Sequence, residues 1–160
     1  MSKLFVDDIV EKTSGHGVQI ADLVPNAGSV AQVQRYQDAS AGSGTSTSTS
    51  YVDDGVSISI TPKFPNSILF VTCTSGSSIS GGYGYFRILE SVSSTVVQEI
   101  PFGNFSSSPQ WLLGFTLGGW YTPSNTTQRT FKLQGKTTAG TRYVNYLSLI
   151  HISEPTRQSP

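Results

Sequence analysis

The chain has 160 residues, enough for one domain and a short appendage, and a formal net charge of zero. No basic footprint marks it for nucleic acid or for an anionic membrane surface, and no apolar stretch reaches membrane-spanning length. Only 12% of residues are charged, and Ser, Thr and Gly fill the gap, a composition for strands and turns rather than helices.

Residues 1–30 read as a separate oligomerisation segment. Residues 3–12 suit a short helix or an irregular strand, and Asp7 and Asp8 break any signal-peptide core, so synthesis in a cytoplasm without leader-directed export is expected. A glycine-flanked turn carries His16, and residues 18–20 form a short strand. Strands this small bury no core alone; they need copies from other chains, or the following domain.

Residues 31–146 read as a β-sandwich head. Residues 30–37 are a strand or short helix, and the Ser/Thr/Gly run 41–50 is a flexible loop. Asp53, Asp54 and Gly55 make a turn or bulge before a strand that alternates Val56, Ile58 and Ile60 inward. Residues 67–74 (SILFVTCT) form a nearly continuous apolar run for the centre of a sheet, with the lone Cys73 as a buried small hydrophobe. Residues 75–82 read as a loop. Residues 83–90 then pair with 96–100 as a hairpin, with Phe86 and Ile88 on one side and Tyr85, Arg87 and Leu89 on the other.

Residues 101–109 are expected as a polar loop, 111–117 as another central strand bent at Gly118 and Gly119, and 122–127 as a loop. Phe131 and Leu133 point inward from an alternating strand, and residues 142–146 begin the last one. Strands about ten residues apart without intervening helices predict an all-β, antiparallel two-sheet jelly-roll sandwich. Residues 147–157 (LSLIHISEPTR) resemble the in-frame translation of a transposase-type sequencing adapter. Residues 147–160 are therefore set aside from the native fold, although LSLI is apolar enough to fill the slot of the missing strand.

No catalytic motif emerges. His16 has no Gly-x-Ser-x-Gly partner, Glu90 and Glu99 read as a polar rim of the hairpin rather than a glycosidase pair, and the Gly81-Gly82-Tyr83-Gly84 run precedes a strand where a phosphate cradle needs a helix. The Asp pairs lack calcium-loop spacing, so neither metal nor cofactor is expected. Aromatic residues carry the remaining signal, because sugar rings stack on exposed aromatic faces. Trp120 and Tyr121 beside the loop with Asn125, together with Tyr83 and Tyr85, are the candidate receptor contacts; Phe102, Phe105 and Trp111 complete the set.

Three blocks, FVDDIVEKTSGHGVQI, TSTSYVDDGVSISITPKFPNSILFV and TPSNTTQRTFKLQGKTTAGTRYVN, resemble tail-fibre and related virion proteins of tailed bacteriophages. That resemblance implies a homotrimer with an intertwined N-terminal β shaft and a head like the tumour-necrosis-factor jelly roll. It further implies a place in the phage tail, contacts with other virion proteins, and adhesion to a bacterial surface glycan or protein. The shaft portion here is a single short repeat. A purely structural virion role shares the same fold.

Overall fold

The computed structural model describes residues 30–38, 43–104 and 113–155. Nine strands run through them: β1 (Val30–Asp38), β2 (Ser43–Ser46), β3 (Val52–Ile60), β4 (Leu69–Ser80), β5 (Tyr83–Glu90), β6 (Thr95–Asn104), β7 (Leu113–Tyr121), β8 (Arg129–Thr137) and β9 (Thr141–Pro155). One sheet has the order β1-β9-β4-β7, with β2 also paired to β9, and the facing sheet has the order β3-β8-β5-β6. Pairing is nested: β1 with β9, β3 with β8, β4 with β7 and β5 with β6, all antiparallel. A doubled-over ribbon wrapped into two facing sheets is a jelly roll. The chain thus forms the expected all-β sandwich.

Period-two alternation builds the core. Val56, Ile58 and Ile60 of β3, Phe86 and Ile88 of β5, and Phe131 and Leu133 of β8 point at Leu69, Val71 and Cys73 of β4 and at Leu117 of β7. Phe86 and Phe115 stack between the sheets at 4.3 Å, and Phe102 meets both edge-on at 5.4 Å. Each such ring contributes about 1.5–3 kcal/mol by burial. Between β4 and β5 the chain crosses from one sheet to the other in two residues, Gly81 and Gly82, whose φ values of 80° and 70° favour glycine.

Several strands differ from expectation. The serine-rich run read as a loop is the second half of β4: Ser77 donates to the Tyr143 carbonyl at 2.6 Å, and Ile79 is fully buried. Hydrogen-bonded neighbours on both sides override the loop-like composition. Likewise β6 continues through Pro101 to Asn104 and places Phe102 in the core rather than in a loop. Among the described residues β7 is an edge strand, not a central one, and its pairing with β4 runs on without a register shift through Gly118 and Gly119 to Tyr121. Part of the Ser/Thr run is β2. The tail set aside, from residue 147, supplies β9 as far as Pro155, with Ile150 and Ile152 fully buried; its alternation fits the slot between β1 and β4. The segment 1–29 with Asp7, Asp8 and His16, and residues 105–112 with Phe105 and Trp111, lie outside the described residues.

Candidate functional site

Alternation along β7 turns Phe115 and Leu117 inward and Thr116, Gly118 and Trp120 outward. Trp120 is 64% exposed, the most exposed of the large apolar side chains described. Its register partner on β4 is Phe70, and the two rings pack at 4.4 Å, tilted by 39°. Gly118 faces Thr72, and a side chain there would reach within 3.3 Å of the Thr72 methyl and 3.5 Å of the Phe70 ring. Its absence gives Phe70 room to spread beside Trp120. Further along, the Thr74 and Thr116 hydroxyls share a hydrogen bond at 3.0 Å, and Gly76 pairs with Gly114. None of these outward residues is charged. From Gly114 to Trp120 the surface runs seven residues, roughly 20 Å at strand rise. The result is an aromatic platform ending a smooth, hydroxyl-bearing track on a rigid sheet.

The other sequence-nominated residues do not converge on it. Tyr121 faces the interior, edge-on to Phe131 at 5.4 Å, and its hydroxyl donates to Glu90 at 3.3 Å. Asn125 is exposed, but its side-chain oxygen accepts from the Thr127 amide at 3.1 Å and from Arg129 at 2.7 Å, so it latches its own loop. Tyr83 and Tyr85 stand on the outer surface of the opposite sheet, where Lys136 lies 5.0 Å from the Tyr85 ring. Phe70 and Thr72 escape the sequence reading because SILFVTCT looks nearly continuously apolar, and Gly118 because it reads as a bend. The alternation of that run and the cross-strand register to Trp120 are the signals that single out Phe70.

The acidic residues are structural in placement. Glu90 is fully buried rather than on an exposed rim, and accepts from the amides of Val92 and Ser93 and from the Ser93 hydroxyl, with Arg129 at 4.0 Å. Burial raises its pKa, but the Ser93 hydroxyl and the two amides, aided by Arg129, outweigh that and hold it below the usual carboxylate range. Glu99 pairs across from Arg87 on the outer surface, so the two glutamates occupy opposite sides of one sheet. A register shift between Asp53 and Ser57, with Gly55 at φ 77°, makes the bulge anticipated before Val56. It sends Asp53 outward to Lys132 and Gln134, and Asp54 inward to Arg142. Burial pushes the Cys73 thiol up to about 12, with Asp54 adding to it, which leaves the thiol unreactive. Among the described residues no three His, Cys, Asp or Glu side chains gather as a metal site requires.

No family model matches the sequence, and no curated protein matches it. Among solved structures, the chain is similar to a carbohydrate-binding module from Cellvibrio mixtus lichenase 5A in complex with cellotriose, at 14% identity and a TM-score of 0.40 over 81% of this chain and 92% of that one. It is also similar to a chain of infectious bursal disease virus, Gt strain, at 9% identity and a TM-score of 0.45 over 95% of this chain and 43% of that one. The VP2 subviral particle of the same virus matches at 13% identity and a TM-score of 0.36, over 80% and 38% of the two chains. The chain therefore spans less than half the length of these viral chains.

Proposed function

We propose that this chain is the receptor-binding head of a bacteriophage tail fibre or a related virion protein, which adheres non-covalently to a host-surface glycan as a homotrimer and performs no reaction. The observation that carries the reading is the Trp120 ring, 64% exposed beside Phe70 at one end of an uncharged track of threonines and glycines. Sugar C–H faces stack on such rings, and hydroxyls or bare backbone along the track leave room for the chain that follows. The quoted sequence blocks support the virion assignment and, through residues 1–30, the trimer.

Adsorption to bacterial cells and a glycan array on the purified protein test this. Specific binding that Trp120→Ala abolishes supports it, and silence on every host surface defeats it. That second outcome favours a purely structural virion component. Val30 and Val33 on β1, 54% and 52% exposed, suit a subunit contact in that case.

A further inference from the structure

The outward pattern of β4 begins just before the strand does. Ser67 is buried, Ile68 is 48% exposed, Leu69 is buried and Phe70 is half-buried, so Ile68 stands on the same side as Phe70. Trp120 is the direct cross-strand partner of Phe70, which makes Ile68 its diagonal neighbour. Diagonal neighbours, about 7–8 Å apart along the backbone, are within reach of an aromatic side chain. On the other flank a side chain at Gly118 would meet the Thr72 methyl first, at 3.3 Å, so that threonine turns its apolar end toward the indole side. The indole end of the track is thus bordered by Ile68, Phe70 and a methyl group.

That border narrows the class of sugar the platform can take. A hydroxyl pressed against Ile68 or Phe70 loses water and gains no partner, whereas a methyl at the same place buries apolar surface. Farther along, the Thr74 and Thr116 hydroxyls supply the donors and acceptors that ordinary sugar hydroxyls need. None of the outward residues of β4 and β7 carries a charge, so an acidic or phosphorylated sugar meets no counter-charge on them. An acetamido group does bring a methyl, but with it an amide that Ile68 and Phe70 cannot hydrogen-bond. The best fit is a neutral sugar with a methyl where a common hexose has its hydroxymethyl group.

We propose that the Trp120 end of the track selects a 6-deoxyhexose, its ring stacked on the indole and its exocyclic methyl against Ile68 and Phe70, with Ile68 as the specificity-determining residue. This rests on the glycan-binding reading of Trp120. Matched methyl glycosides titrated into the full chain by saturation-transfer NMR test it: L-rhamnoside against L-mannoside, and L-fucoside against L-galactoside. At least one 6-deoxy member should bind at least fivefold tighter than its hydroxylated counterpart. Ile68→Ser should bring that ratio within twofold, Ile68→Val should keep it, and Trp120→Ala should remove binding of both members. If Ile68→Ser fails to fold, Ile68→Thr, close in shape to valine, makes the same comparison. Array glycans that bind should contain a 6-deoxyhexose. Equal affinity within both pairs, a preference that survives the polar substitutions at Ile68, tighter binding of methyl N-acetylglucosaminide, or array binding confined to glycans without a 6-deoxyhexose overturns the proposal. So does self-association in sedimentation that Ile68→Ser and Trp120→Ala both disperse, which puts a second copy on the patch. Equal binding within the pairs defeats the 6-deoxy preference alone, whereas silence of the pairs and of the array defeats the Trp120 reading with it.

Discussion

The two outer surfaces of the sandwich use aromatic residues in opposite ways. On the β4–β7 surface Trp120 leans on Phe70, with only threonines and glycines beyond. On the β5–β8 surface the rings are covered by the protein's own cations. Arg87 sits 3.9 Å over the Tyr51 ring, Lys136 lies 4.6 Å from it, and Lys136 also reaches Tyr85. Burial, with the neighbouring Glu99 carboxylate, pushes the Tyr51 hydroxyl above its ordinary pKa; no protein acceptor meets hydrogen-bond geometry there among the described residues. A ring already faced by a guanidinium has little left for a sugar, whereas the Trp120 indole, which leans only on Phe70, is 64% exposed. Exposure of an aromatic residue is thus a weaker sign of binding than the absence of an internal cation over its face.

Substitutions can separate the two surfaces. Trp120→Ala should cost at least tenfold in glycan affinity, about 1.4 kcal/mol, as loss of a central anchor does. Its melting temperature should barely move, because the ring is mostly solvated; affinity by calorimetry and stability by thermal melting check both. Tyr51→Ala should do the reverse, lowering stability by about 1–2 kcal/mol through lost cation contacts and packing, with affinity unchanged in the same two measurements. If Tyr51→Ala abolishes binding instead, the distinction between the surfaces is wrong.

A subtler test runs through Glu90, which holds the Tyr121 hydroxyl and so fixes the side of β7 opposite Trp120. Its folded-state pKa lies below the ordinary value of 4.5, so the carboxylate stabilises the fold at neutral pH. That contribution is complete above the unfolded pKa and is lost as pH falls through the folded one. Denaturant melts should therefore weaken below pH 4.5, and Glu90→Gln should flatten that part of the profile. Smallest of all is the expected effect of salt. With no charge on the track, glycan affinity should change less than about twofold between low and physiological ionic strength.

Much of the architecture was legible because alternation is a local signal. Val56, Ile58 and Ile60, and Phe131 and Leu133, declare their buried side without any knowledge of their partners. The errors fell where composition and pairing disagree. Ser75 and Ser77 look like a loop, yet they point inward from a strand bonded on both flanks, and Gly118 and Gly119 look like an interruption in a strand whose pairing runs on without a register shift. The platform was half visible. Its loop-side position singles out Trp120 but equally its neighbour Tyr121, and strand parity sends the two to opposite sides. Phe70 and the Asp54–Arg142 pair needed register and tertiary distance, which no spacing along the chain encodes.

The placement of β9 between β1 and β4 sets a timetable for biogenesis. A ribosome releases β1 and β4 long before the strand that joins them, so during synthesis both wait with open hydrogen-bonding edges. Closure comes late and involves the whole sheet at once. In that interval a neighbouring chain's β9 fits the gap as well as the chain's own, so nascent heads made close together are exposed to strand exchange, and a slow step in folding is expected from contacts this distant in sequence.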